Sequence, residues 1–87
     1  MKLEKRIKIA SRQGLHARPA AMFVETANKF ISNIKISRDE LVVDGKSILN
    51  ILMLGVEYNN EILLEIEGED AQEAMEALEN IIARKDV

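Results

Sequence analysis

Apolar residues occupy alternate positions in four short segments of the chain, a pattern typical of β-strands that bury one face. These segments are residues 2–9, 33–37, 41–43 and 62–66. Lys5 interrupts the first of them, because it stands where the alternation expects an apolar side chain. The polar residues 38–40 separate the second and third segments, so these two strands are predicted to form a hairpin.

A longer segment shows the spacing of an amphipathic helix. It begins close to His16, contains Pro19 in its first turn, where a missing N–H is tolerated, and extends to about Lys29. The residues predicted to face inward from it are Ala20, Phe23, Val24 and Ala27. The pattern therefore places His16 at a helix N-terminus.

The last predicted helix covers residues 71–82. Asp70 and Glu73 indicate a capping box at its start, and Arg84 and Lys85 suit its negative C-terminal end. With a short helix described below, the order of elements is βαββαβα, which predicts an α+β domain with helices on one face of an antiparallel sheet. Residues 1–87 are expected to form a single domain, because no linker or repeat divides them.

Composition limits what this domain can be. The 87 residues contain no cysteine, 47% apolar residues and only three aromatics, so the core must be largely aliphatic and cannot rely on disulfides or thiolate metal sites. Twelve basic and fifteen acidic residues give a net charge of −3 without a dense basic block, which argues against a nucleic-acid partner. The longest apolar run, residues 51–56, is too short to span a bilayer. We therefore expect a cytoplasmic protein with no membrane insertion.

The segment GLHARPAA, residues 14–21, contains the only histidine and the only proline of the chain. The first N–H groups of a helix lack partners within the helix and attract anions, and they favour the neutral form of a nearby imidazole. Such a ring retains a lone pair for attack on an electrophile, and Arg18 could bind phosphate oxygens. Because Pro19 has no N–H, the backbone donors would come from Ala17 and Arg18. The alternative is that His16 is an ordinary surface or capping residue.

The segment KSILNILMLG, residues 46–55, is predicted to be a short helix with Ser47 as its N-cap and Gly55 as its C-cap. Its apolar residues surround most of the helix, whereas a helix on a sheet can bury only one side. Some of them should therefore be exposed and could bind a partner. The alternative is that a neighbouring loop buries the whole segment.

Both segments resemble those of HPr, the histidine-containing phosphocarrier family of the bacterial phosphotransferase system. The resemblance implies an open-faced β-sandwich with strand order β1–β4–β2–β3, in which three helices cover one face of a four-stranded antiparallel sheet. It also implies that His16 accepts a phosphoryl group on Nδ1, that Arg18 contacts the phosphate, and that Ser47 is a site of regulatory phosphorylation. The residues expected to contact partners are Ala21, Ile48, Leu49 and Leu52.

The resemblance further implies that the protein is a carrier rather than a self-sufficient enzyme. It is expected to be a monomer and to need no cofactor or metal. Its expected partners are enzyme I, sugar-specific IIA domains and, for Ser47, a serine kinase/phosphorylase and a transcriptional regulator. Two other functions stay open: a regulatory HPr-like binding module without phosphoryl transfer, and a carrier of the nitrogen branch. The chain departs from many members at Leu49 and Asn50, and Asn60 stands where a turn glycine is common and is expected to adopt a left-handed backbone.

Overall fold

The computed structural model describes residues 1–85, so the last two positions of the predicted single domain lie outside the described residues. Four strands and three helices follow one another in the predicted order. Their bounds are β1 Lys2–Lys8, α1 Ala17–Ala27, β2 Asn33–Arg38, β3 Leu41–Asp44, α2 Ile48–Met53, β4 Glu61–Glu67 and α3 Ala71–Ile82. In the described part of the chain, no helix is long and apolar enough to cross a membrane.

The four strands form one antiparallel sheet with the order β1-β4-β2-β3, as expected. In β4, Ile62, Leu64 and Ile66 are buried beneath the helices, while alternate residues lie on the uncovered face. The buried side chains of α1 and α3 pack on the same side of the sheet. The protein is therefore the α+β open-faced sandwich that the alternation and the helical spacing predict together.

Lys5, the exception in the alternation of β1, lies opposite Leu64 and so points towards the helices. There its Nζ is 2.6 Å from a carboxylate oxygen of Glu79 on α3. A lysine at this inward position is accommodated because its apolar stem reaches the rim of the core and its charge has a partner. Lys5, which interrupts the alternation, thus joins the sheet to α3 through an ion pair.

The predicted capping box at the start of α3 is wrong. Asp70 occupies the N-cap position, but its carboxylate makes no cap hydrogen bond to the helix. It accepts instead from the backbone N–H groups of Ile31 and Ser32, at 2.9 and 3.0 Å, and from the Ser32 hydroxyl. The Ser32 hydroxyl, and after it the two backbone N–H groups, lower the pKa of Asp70 from 3.8, although desolvation opposes the shift. The carboxylate therefore joins α3 to the segment before β2.

Three smaller expectations also change. Helix α1 ends at Ala27 with Asn28 as its C-cap, so it is shorter than predicted. The C-cap of α2 is Leu54, and Gly55, the predicted C-cap, follows it with φ 64°. The left-handed residue in the turn before β4 is Asn59, with φ 72°, and not Asn60. Asn60 uses its side-chain oxygen to accept from the Glu57 N–H at 2.8 Å.

Candidate functional site

Helix α1 begins at His16, as the sequence predicts. The N-cap residue is extended, with φ −89° and ψ −164°, and its carbonyl accepts from the Ala20 N–H at 2.8 Å. Its side chain makes no cap hydrogen bond. Among the residues that the structure describes, no group accepts from the N–H of Ala17 or Arg18. The start of α1 thus offers two free donors beside an imidazole.

The two nitrogens of the His16 ring differ in environment. Within residues 1–85, Nε2 is the one buried side-chain nitrogen or oxygen atom without a hydrogen-bond partner. Nδ1 makes no hydrogen bond either, but solvent reaches it. The nitrogen available to an incoming group is therefore Nδ1.

The loop before His16 is held against the segment that follows α2. The Leu15 N–H donates to the carbonyl of Val56 at 3.0 Å, and the Leu15 side chain is buried. Gly14 has φ +74°, and a Cβ there would lie 2.5 Å from the Val56 carbonyl oxygen and 2.8 Å from Cα of Glu57. Only glycine permits both this backbone conformation and this close approach. These contacts fix the direction in which the chain enters α1.

Arg18 is exposed, and its guanidinium has no hydrogen-bond or ion-pair partner in the described part of the chain. Ala17 is exposed as well. The start of α1 thus brings together Nδ1 of His16, two unpaired backbone donors and a free planar cation on consecutive residues. This combination suits an anion with several oxygens, because the N–H groups and the guanidinium can each bind one.

Helix α2 begins in the opposite way, with its N-terminus closed by its own side chains. Ser47 Oγ accepts from the Asn50 backbone N–H at 3.3 Å and from Asn50 Nδ2 at 3.0 Å, which confirms Ser47 as the N-cap. Asn50 Oδ1 in turn accepts from the Asp44 N–H at 3.3 Å. Asn50 therefore ties the cap to the end of β3.

The apolar residues of α2 are divided between core and surface. Ile51 is fully buried, whereas Ile48, Leu49 and Leu52 are 38%, 69% and 41% exposed. The alternative that the whole segment is buried is thus wrong. Met53, at 72%, was missing from the expected contact residues, although the spacing of four residues after Leu49 places the two on one face. We call Ile48, Leu49, Leu52 and Met53 the exposed α2 face.

Helices α1 and α2 run in opposite directions. The Asn28 side chain after α1 donates to the Lys46 carbonyl before α2 at 3.2 Å, and Lys46 Nζ donates to the Phe30 carbonyl at 2.7 Å. The chain before α1 meets the chain after α2 through the Leu15–Val56 hydrogen bond. The structure therefore does not bring His16 and Ser47 together but places them at opposite ends of the pair, while Ala21 is half-buried in the second turn of α1.

Arg38, interpreted from sequence only as part of a turn, closes the other end of α2. Its Nη1 donates to the carbonyls of Gly55 and Leu54, at 2.7 and 3.3 Å. A cation at a helix C-terminus interacts favourably with the negative end of the helix and with carbonyls that lack partners. No local motif in the sequence could indicate this contact, because the two segments are far apart along the chain.

Comparison with known proteins agrees with this geometry. A family model described as the PTS HPr component phosphorylation site matches residues 3–84. The chain belongs to the HPr family. It is therefore an HPr-type phosphocarrier of the phosphotransferase system by descent, with the open-faced sandwich fold of that family.

Relatives in the HPr family come from diverse organisms. An HPr-like protein Crh of Halalkalibacterium halodurans is 46% identical, covering 87% of this chain and 90% of its own. The phosphocarrier protein HPr of Haloferax volcanii is 40% identical, covering 93% of each. HPr-C-His from Thermoanaerobacter tengcongensis has a crystal structure with a TM-score of 0.89 at 48% identity, covering 92% of this chain and 90% of that one. A dimer structure of HPr from the same organism has a TM-score of 0.74 at 49% identity, covering 87% of each chain.

Proposed function

We propose that His16 accepts a phosphoryl group from enzyme I and passes it to sugar-specific IIA domains. The observation that supports this most directly is the open start of α1, where Nδ1 of His16 is accessible beside the unpaired N–H groups of Ala17 and Arg18. A phosphate needs both features, a nucleophile that it can reach and donors for its oxygens.

The transfer step uses the two features in turn. The lone pair of Nδ1 attacks phosphorus, and the bond between phosphorus and the donor breaks as the new P–N bond forms. Negative charge is spread over the three phosphoryl oxygens during transfer, and the Arg18 guanidinium with the two N–H groups stabilises it. In the transfer to an acceptor the same atoms act in reverse. The partner proteins supply all other groups, so the protein acts as a carrier and not as a complete enzyme.

We propose the exposed α2 face, together with Ala21 and Arg18, as the surface that binds enzyme I and IIA domains. A neighbouring set of large exposed apolar side chains is the usual core of a protein interface. We expect the protein to meet these partners in the cytoplasm as a monomer, although dimer structures exist for two relatives, HPr from Thermoanaerobacter tengcongensis and Crh from Bacillus subtilis.

We further propose that a serine kinase/phosphorylase modifies Ser47 and that a transcriptional regulator binds the product. A phosphate at this N-cap suits the positive end of α2, so the helix should persist. Because Ser47 and His16 lie at opposite ends of the pair of helices, direct repulsion between phosphorylated Ser47 and a phosphate arriving at His16 should be weakened by salt. The modification should act mainly by placing a dianion beside the exposed α2 face, which a partner must desolvate.

A second candidate function is a regulatory HPr-like module, favoured by the 46% identity to an HPr-like protein Crh. Proteins of that type are expected to lack the active-site histidine, so His16 and its open helix start favour the carrier. A carrier of the nitrogen branch would share all the chemistry of the sugar-branch carrier and differ only in its acceptors. Offering the phosphorylated protein to IIA domains of both branches distinguishes the sugar-branch carrier from the nitrogen-branch carrier.

The decisive experiment is incubation with enzyme I and radiolabelled phosphoenolpyruvate. We expect an acid-labile label that is absent from His16→Ala and retained by Ser47→Ala. The second variant is the control, because a phosphoserine would survive acid and disappear with Ser47. Labelling of His16→Ala, or no labelling of the unchanged protein, would contradict the assignment of His16.

A further inference from the structure

A surface cleft of about 320 Å³ lies between the loop that leads to His16 and the turn that precedes β4. Three of the side chains that line it are basic, Lys8, Arg12 and Lys85. Tyr58, which is 50% exposed, and Asn59 line the opposite wall. Among residues 1–85, none that lines the cleft carries a carboxylate.

Two other clefts of the described chain have mixed charges. One of about 460 Å³ is lined by three lysines and three acidic residues, and one of about 330 Å³ by two arginines and two acidic residues. The described residues of the cleft near His16 contribute cations alone, although the net charge of the chain is −3. No carboxylate among these residues cancels the positive potential of the cleft.

The three cations are also free to bind a ligand. Within residues 1–85, the side chains of Lys8, Arg12 and Lys85 form no hydrogen bond or ion pair, and all three are exposed. By contrast, the other basic residues of β1, the strand that contains Lys8, are each paired with a glutamate; these are Lys2, Lys5 and Arg6. The unpaired cations are thus not accounted for by contacts that hold the fold together.

We propose that this cleft binds a small molecule with two or more phosphate charges, either a free polyphosphate or the phosphate groups of a nucleotide. Arg12 supplies a planar fork that matches phosphate oxygens, and the two lysines add point charges. The volume is at the lower end of the range for small-molecule sites, and the charges line a concave surface rather than a ridge. Both features favour a compact ligand over a segment of another protein.

This site is distinct from the start of α1, since none of its lining residues is His16, Ala17 or Arg18. The two are nevertheless connected, because Ile9, Ala10 and Arg12 belong to the segment that delivers His16 to its helix. That segment is joined to the opposite wall by the hydrogen bond from the Asn59 N–H to the Ile9 carbonyl, at 3.0 Å. A bound anion would therefore contact both the loop that leads to His16 and the turn that precedes β4.

The chain contains one tyrosine and no tryptophan, so its intrinsic fluorescence comes from Tyr58 in the cleft. We would titrate the full-length protein with inorganic triphosphate, which does not absorb at the excitation wavelength, and expect a saturable change with one site per chain. Arg12→Ala and Lys8→Ala should each weaken the affinity about tenfold, since each removes a charge-assisted contact. Added salt should weaken it as well.

Lys29→Ala is the matched control, because Lys29 is exposed and its side chain is unpaired in the described structure but lies outside the cleft. It should leave the affinity reported by Tyr58 unchanged. His16→Ala and Arg18→Ala should also leave it unchanged, because Tyr58 lines the cleft and not the start of α1. A parallel titration with ATP, followed by NMR shifts of Arg12 and Asn59, distinguishes the two sources. Tighter binding of ATP than of triphosphate indicates a nucleotide, and equal binding indicates polyphosphate alone.

Three results would overturn the proposal. They are the absence of a saturable signal, an equal loss of affinity in Lys29→Ala and Arg12→Ala, and tighter binding of a glutamate-rich peptide than of triphosphate. The last would make the cleft a contact for an acidic segment of a protein partner.

Discussion

Helices α1 and α2 begin at the two residues singled out for phosphorylation, but their first turns are built differently. Ser47 closes α2 by accepting from the Asn50 N–H, whereas at the start of α1 no group in the described part of the chain accepts from the N–H of Ala17 or Arg18. A closed helix start stabilises its own helix, and an open one has donors left for an external anion. This difference fits our proposals that the start of α1 binds a phosphoryl group and that Ser47 stabilises α2 as its N-cap until a kinase phosphorylates it.

The largest effect is expected from Arg18→Ala, which tests whether the open start of α1 stabilises the phosphoryl group during transfer. The variant should fold normally, since Arg18 is exposed, but transfer from phosphorylated enzyme I should slow about 100-fold because one group that stabilises the transferring charge is lost. Rapid-quench kinetics with circular dichroism measures both properties. Arg18→Lys should recover part of the rate, and Lys35→Ala, a change at an exposed lysine of the sheet, should have no effect. An unchanged rate in Arg18→Ala would show that the N–H groups suffice.

The role of the exposed α2 face in binding partners is tested by Leu49→Asp. A charge in the exposed α2 face should raise the KM for enzyme I about tenfold, while stability changes little because Leu49 is 69% exposed. Val42→Asp is the matched control, since Val42 is also exposed but lies on β3. A large loss of stability in Leu49→Asp would instead indicate that the side chain supports the fold.

The closed start is tested by comparing two substitutions of Ser47. Ser47→Ala removes the cap and should lower the free energy of unfolding by about 1 kcal/mol, as measured by urea denaturation, without slowing transfer. Ser47→Asp can still cap the helix, so it should retain most of the stability and slow transfer from enzyme I. If both variants slowed transfer equally, the cap itself and not the negative charge would control partner binding.

The smallest effect is expected at the third helix start. The pKa of Asp70 is lowered in the folded protein, chiefly by the Ser32 hydroxyl, so its stabilising contribution is present above the ordinary value of 3.8 and is lost as the pH falls through the lower folded value. The difference in unfolding free energy between the unchanged protein and Asp70→Asn should therefore shrink from neutral pH to about pH 3. A constant difference over that range would contradict the shift.

Local pattern predicted the elements and the two helix caps because these depend on neighbouring residues. Ser47 and Asn50 are one turn apart, and His16 directly precedes its helix. The alternation also predicted which faces are buried, and the position of Lys5 stayed unexplained only because its partner Glu79 lies on the last helix.

Contacts between distant segments could not be predicted in this way. Asp70 has the residue type and spacing of a cap, but the N–H groups of Ile31 and Ser32 compete for its carboxylate once the fold brings them close. Asn59, and not the adjacent Asn60, adopts the left-handed backbone. This choice also involves a distant segment, since the Asn59 N–H donates to the Ile9 carbonyl. The strand order was available only through the family resemblance.

The contact of Gly14 and Leu15 with Val56 and Glu57 also has a consequence for folding. Local helices can form early, but this contact closes a large loop of chain, whose entropic cost is recovered only when the surrounding structure is in place. Helix α1 can therefore appear in the folding chain before His16 reaches its final orientation. A fragment ending before Val56 would retain the whole GLHARPAA motif and would lack the backbone contacts that aim its histidine.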